Sequence, residues 1–268
     1  VNGTLVQASR LASRAVNRVF MHYHVSLRPG LNVIEARWVG GAETRQVFFS
    51  EPWGETRITP AGFDRNPFHV VSAAGEPCGG CHELQPKASD VEPSTPEKST
   101  CRPCHLGITG FKQVHGPAAR WACTFCHDAT SRPALYETPR PAVSDLCFTC
   151  HADLRDYFYG SPYQHGPTAT GRCTICHNPH ASDNPFWLKK PAWYLCTTCH
   201  SEKASGRHVI AWGPSGDTHP TRGRPDPMKP DRELACNSCH NPHAAASPKL
   251  WNFGATTHTD LCQTCHLK

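Results

Sequence analysis

Residues 173–180 read Cys173-Thr174-Ile175-Cys176-His177-Asn178-Pro179-His180, and the first five of them recur throughout the chain. Eight copies of Cys-x-x-Cys-His are present, and together they use all 16 cysteines. They begin at Cys78, Cys101, Cys123, Cys147, Cys173, Cys196, Cys236 and Cys262 and close on Cys81, Cys104, Cys126, Cys150, Cys176, Cys199, Cys239 and Cys265. The following histidines are His82, His105, His127, His151, His177, His200, His240 and His266. In a helical turn, positions i, i+3 and i+4 share one face. Two thiolates can then add to the two vinyl groups of a haem while the adjacent imidazole reaches its iron, which is the reading this spacing carries. A disulfide framework needs no histidine after each second cysteine. Zinc ribbons pair two cysteine knuckles and do not demand the adjoining histidine eight times.

Composition agrees with a chain wrapped around its cofactors. Eight haems share the sequence after Phe68, too many to be enclosed by a polypeptide core, so the haems themselves are expected to form it. The chain is 38% hydrophobic and 18% charged, and its 25 prolines and 20 glycines favour loops and short helices. The formal charge of +5 does not point to nucleic acid or to an anionic membrane. Two propionates on each haem carry it to about −11, and the ferric cores return it to about −3. Many Arg and Lys side chains are therefore expected to pair with propionates. No basic run is interleaved with aromatics as in a nucleic-acid surface, and no stretch has the apolar length of a membrane span. The start at Val1 is read as a mature form that has lost a secretory signal.

Two regions are expected, 1–66 and 67–268. In the first, Val19–Leu27, Leu31–Val39 and Arg45–Phe49 read as strands, with Thr4–Ala8 as a candidate fourth. Turns are expected at Arg28–Asn32, with a type II geometry, and at Gly40-Gly41. Such a small antiparallel β module, ending near Pro52, is marginal alone and is expected to pack on haem-bearing protein, its own or a neighbour's. In the second region the motifs fall into pairs whose first cysteines lie 23, 24, 23 and 26 residues apart. The units are about 67–111, 112–160, 161–210 and 211–268. A histidine leads each: His69, His115, His165 and His219, the last set back by a Pro-rich insert, Thr221–Asp231. Units two and three share His-Gly-Pro, and units three and four share Cys-His-Asn-Pro-His, ending at His180 and His243. A period of this kind argues for stacked units that touch mainly their neighbours.

Of 18 histidines, eight belong to the motifs, leaving His22, His24, His69, His115, His165, His180, His208, His219, His243 and His258. Six at repeated positions (His69, His115, His165, His180, His219 and His243) are read as sixth ligands of the irons. His208 lies between units and is a further candidate. His22 or His24, which share one face of the expected strand, is expected to supply the eighth, to its own chain or to the next subunit. His258, close before Cys262, is read as non-ligating. Met21 and Met228 are the rival axial ligands; Met228 lies in the polar insert, and the low count leaves histidine at nearly every site.

From Phe68 onward the chain resembles multihaem c-type cytochromes, and more narrowly those built on a doubled CxxCH motif. The resemblance implies a mostly irregular and α-helical fold, short helices and loops around stacked haems, in four tandem dihaem units beside the β module. It also implies a periplasmic or extracellular location, because such attachment is completed outside the cytoplasm. Bis-histidine haems have no vacant site, so the expected role is electron conduction along a row of eight haems c. Other redox proteins or extracellular acceptors are then the partners. Self-association into a filament, in which one subunit donates an axial histidine to the next, is compatible with this role, as is a soluble periplasmic shuttle. The enzymatic alternative is an octahaem reductase or oxidoreductase of small nitrogen or sulfur oxyanions. Those families keep one haem open, often with Lys in place of the proximal His; here the eight motifs are unbroken.

Overall fold

The computed structural model describes residues 1–6, 9–15, 18–22, 25–49, 60–63, 69, 95–131, 135–138, 143–204 and 219–266, with the backbone alone at 9–15, 18–22 and 104. Two compact units are present, Val1–Asn66 and Pro67–Lys268.

The first unit contains two antiparallel hairpins that form separate two-stranded sheets. Ser9–Ala15 pairs with Arg18–His22, with an irregularity between Ser9 and Ser13. The strand expected at 4–8 therefore lies further along, at Ser9–Ala15. Its Ser-Arg-Leu-Ala-Ser-Arg-Ala sequence lacks the apolar alternation by which a strand is recognised, and backbone pairing alone defines it. The strand expected over 19–27 is shorter. Gly30–Trp38 pairs with Gly41–Phe49 in continuous register, so the return strand begins four residues before the expected Arg45. Gly40 takes φ 98° in the tight connection, a conformation open to glycine at no steric cost.

An amide that apolar patterning overlooks organises this hairpin. Asn32 is fully buried. Its Oδ1 accepts from the Arg28 N–H at 3.0 Å, and its Nδ2 donates to the carbonyls of Arg28 at 2.7 Å and Gly30 at 2.9 Å. Meanwhile Leu31, Val33 and Phe48 remain substantially exposed. Among the described residues, hydrogen bonds hold this sheet more than apolar burial does.

In the second unit, regular structure is local and short. The longest helices among the described residues are Ala152–Gly160 and His258–Cys265. The two His-Gly-Pro sequences explain themselves here: His115 and His165 are extended, with φ near −70°, and each precedes a single helical turn with proline in its first positions. Proline is favoured there because its missing N–H has no helical partner to lose. Two-residue ladders join Gln113–Val114 to Ala181–Ser182 and Tyr163–Gln164 to Ala244–Ala245. The insert after Thr221 folds as a small hairpin, Pro225–Asp226 against Lys229–Glu233.

A small apolar cluster of Phe148, Phe158 and Ala244 sits beside the second ladder. The Phe158 ring stacks on His243 with centroids 4.7 Å apart and planes 22° apart. Phe158→Ala should destabilise this unit by roughly 3–5 kcal/mol, the usual cost of deleting a buried phenyl ring. Thermal unfolding of the haem-loaded protein measures it, and an unchanged midpoint would remove the cluster from the stabilising set.

Candidate haem-binding site

The CxxCH segments form short turns. The backbone N–H of each described motif histidine reaches back to the carbonyl of the first cysteine, as in His127 to Cys123 at 2.9 Å and His177 to Cys173 at 3.1 Å. In such a turn positions i, i+3 and i+4 lie on one side. Cys78, Cys81 and His82 lie outside the described residues, as do His24 and His208; of His22 only the backbone is described.

Six motif histidines face a second histidine. Ring centroids are 6.3 Å apart for His69–His105 and for His115–His151, 6.0 Å for His127–His180 and 6.1 Å for His165–His200. They are 5.9 Å apart for His177–His243 and 6.3 Å for His219–His266. A metal–imidazole bond of about 2.0 Å, with each ring centre about 1.1 Å further back, places two trans imidazole centres about 6.2 Å apart. All six pairs fit an iron between them. Among the described residues no group of three or more His, Cys, Asp or Glu side chains could hold a metal. Each pair would offer one iron two imidazole nitrogens, the number a bis-histidine haem takes from the protein.

Every histidine at a repeated position thus meets a motif histidine. His258 instead starts a helix capped by Thr257, whose Oγ1 accepts from the Asp260 N–H at 3.2 Å. The ring planes differ among the pairs, from 9° for His127–His180 to 81° for His219–His266.

Second contacts fix the tautomers. The Nδ1–H groups of His127, His177 and His240 donate at 2.7 Å to the carbonyls of Tyr136, Phe186 and Lys249, each nine residues on. His165 donates to Pro242 at 3.0 Å. The Nε2 lone pair is then left for metal, because the other ring nitrogen carries the proton. Burial pushes the pKa values of His105, His115, His165, His177 and His180 down, and takes His243 to about 4. These rings are neutral at physiological pH, the form that binds metal.

The carbonyls that receive these bonds were not apparent from sequence reasoning. They come from segments held in an unfavourable conformation: Tyr136, Phe186, Trp187 and Leu250 all have φ between 54° and 61°. Non-glycine residues there cost about 1–3 kcal/mol each and persist where surrounding structure demands them. A proline shortly before a bulky apolar residue, as in Pro185-Phe186-Trp187 and Pro248-Lys249-Leu250-Trp251, was the available signal. Trp187 also places its buried indole N–H, without a protein acceptor, in a ring that meets His115 edge-on at 5.4 Å. Such a donor suits a propionate.

Cysteines of successive motifs influence one another: Cys101 interacts with Cys123, Cys147 with Cys173, and Cys196 with Cys236. These are first cysteines, meeting across successive units. Within units, burial first and then the second cysteine of the paired motif push up the thiols of Cys126, Cys176 and Cys239, the partners being Cys150, Cys199 and Cys265. In each of these pairs the partner pulls one thiol down, Cys101 to about 6 and Cys173 and Cys236 to about 7, and pushes the other up. Those shifts belong to free thiols, before thioether formation removes the proton.

Comparison with known proteins agrees with this geometry. The family described as "Doubled CXXCH motif" matches residues 115–156, 165–205 and 229–268. The first two matches begin at the leading histidines His115 and His165. The chain is also similar to the multihaem cytochrome MtrA of Shewanella baltica (strain OS185), with 28% identity over 206 residues. That similarity covers 68% of this chain and 56% of the relative, so the chain spans about half the length of that protein. Among the described residues no helix is long and apolar enough to cross a membrane. Short helices, irregular loops and small antiparallel sheets here carry paired CXXCH motifs that bind haem c, the organisation of a multihaem cytochrome.

Proposed function

We propose that the protein conducts electrons along a row of eight covalently attached haems c, each iron held between two imidazoles. The six histidine pairs supply six of these clamps. The irons of His82 and His240 take His208 and one of His22 and His24, the latter from the same chain or from a neighbouring subunit. The observation that carries the reading is the set of six facing histidine pairs, from His69–His105 to His219–His266, and cysteines that interact from one motif to the next support it. Each sulfur is bonded to the rim of its macrocycle, so neighbouring sulfurs bring neighbouring rims together. Electron tunnelling decays exponentially with rim separation, and an unbroken series of close approaches is what a conduit needs. Bis-histidine irons change little in geometry between oxidation states and leave no coordination site for substrate. Low reduction potentials follow from the absence of methionine ligation.

The physiological partners on this reading are other redox proteins or extracellular acceptors, outside the cytoplasm. Octahaem oxyanion reduction would require an open iron, and the six facing imidazole pairs weigh against it. Spectroscopy of the pure, fully loaded protein tests the proposal. Eight haems per chain should be found, all low-spin, with no carbon monoxide binding in the ferrous state; a high-spin, CO-binding haem would favour the enzyme. Electron microscopy decides the filament reading, which dispersed monomers would remove.

A further inference from the structure

Resting on the bis-histidine reading, we propose that successive dihaem units are interlocked by exchange of ligands. Each Cys-His-Asn-Pro-His turn gives its first imidazole to its own haem and its last to the first haem of the preceding unit. His180 of unit three is then the sixth ligand at the Cys123–Cys126 haem, and His243 of unit four is the sixth ligand at the Cys173–Cys176 haem.

Two junctions show the same construction. His180 faces His127 at 6.0 Å with planes 9° apart, and His243 faces His177 at 5.9 Å with planes 13° apart. By contrast, the leading histidines stay within their units: His115 faces His151, and His165 faces His200. Backbone pairing mounts both kinds of ligand on one ladder. The His115 N–H donates to the His180 carbonyl at 2.9 Å, and Gln113–Val114 pairs with Ala181–Ser182. At the next junction the His165 N–H donates to the His243 carbonyl at 2.8 Å, and Tyr163–Gln164 pairs with Ala244–Ala245. Ala181 and Ala244 are fully buried beside these histidines.

The intervening asparagine and proline shape the turn. Asn178 Oδ1 accepts from the His180 N–H at 3.0 Å, and Asn241 Oδ1 does the same for His243 at 3.0 Å. Such an Asx turn, with φ at proline already set, turns the last imidazole away from the first. The Pro242 carbonyl receives the Nδ1–H group of the leading histidine His165 at 3.0 Å, and the Pro179 backbone interacts with His115 at the corresponding place. One turn therefore supplies a ligand to the first haem of the preceding unit and orients the ligand of its second. In unit two the corresponding turn has the same Asx geometry, Asp128 Oδ1 accepting from the Thr130 N–H at 2.7 Å, but Thr130 stands where the imidazole would be. The exchange accordingly operates between units two and three and between three and four.

His243→Ala in the haem-loaded protein tests this. One haem per chain should become high-spin and bind carbon monoxide when reduced, with haem content unchanged. Combined with Cys173→Ser and Cys176→Ser, which delete the recipient haem, H243A should add no such signal. Combined with Cys236→Ser and Cys239→Ser, the signal should persist. The opposite pattern would assign His243 to its own unit and overturn the exchange while leaving the conduit reading intact. An H243A protein with every haem low-spin would overturn it as well. An open haem in the unsubstituted protein would instead strike the conduit reading itself. Should H243A not accumulate, His243→Met keeps a ligand and should stay low-spin with one raised potential; potentials all unchanged would overturn the exchange.

Discussion

The chain made without haem, either by replacing the motif cysteines with serine or by synthesis without attachment, should not fold beyond its N-terminal hairpins. Among the described residues of Pro67–Lys268, buried apolar side chains larger than alanine are confined to Trp121, Leu135, Phe148, Phe158, Leu195 and Leu234. Each is worth roughly 1.5–3 kcal/mol on burial. Ordering the backbone costs about 1–2 kcal/mol for every residue, and so few side chains cannot offset that over two hundred residues. Helices of four to nine residues add little, since isolated helices below about 12 residues are marginal in water. On the proposed reading the missing apolar surface is that of the macrocycles, and the missing cross-links are thioethers and iron–imidazole bonds, so binding and folding should be one event. Far-UV circular dichroism and limited proteolysis of the haem-free chain provide the measurement. A cooperative thermal transition in that chain would refute the view that the haems are the core.

Removing one central haem should stop conduction along the chain without stopping reduction of what remains. Cys173→Ser with Cys176→Ser deletes a haem inside the proposed row, since Cys173 interacts with Cys147 of the preceding motif and Cys176 with Cys199 of the next. The electron must then cross the width of a whole macrocycle in one step, and tunnelling falls exponentially with that distance. Conductance of single molecules or oriented films should drop by orders of magnitude, while dithionite still reduces every remaining haem. Unchanged conductance would mean that current bypasses this position. Deleting the terminal haem, by Cys262→Ser with Cys265→Ser, should shorten the path without interrupting it.

Legibility differed sharply between parts of the chain. Cofactor type was plain from the cysteines, because covalent attachment demands a fixed local spacing that no other use of sixteen cysteines reproduces. The pairing of motifs into units and their leading histidines were visible as a period, and three of the four units coincide with matches to the doubled motif. Strand limits in the first unit were less readable. Ser9–Ala15 carries no alternation, and the buried residue of Gly30–Trp38 is Asn32, a polar side chain satisfied by backbone groups. The carbonyls of Tyr136, Phe186 and Lys249 were hidden because they depend on main-chain conformation, which residue type only weakly restricts.

From the sequence alone one can name the cofactor, number its attachment sites and identify which histidines recur, since all three rest on contacts between residues close in the chain. Which imidazole faces which is a different kind of information. His177 and His180 are three residues apart, yet one faces His243 and the other His127. Only tertiary structure decides that, because two-residue ladders and the Asn-Pro turn aim each ring across a junction between units, and spacing along the chain carries no record of the direction.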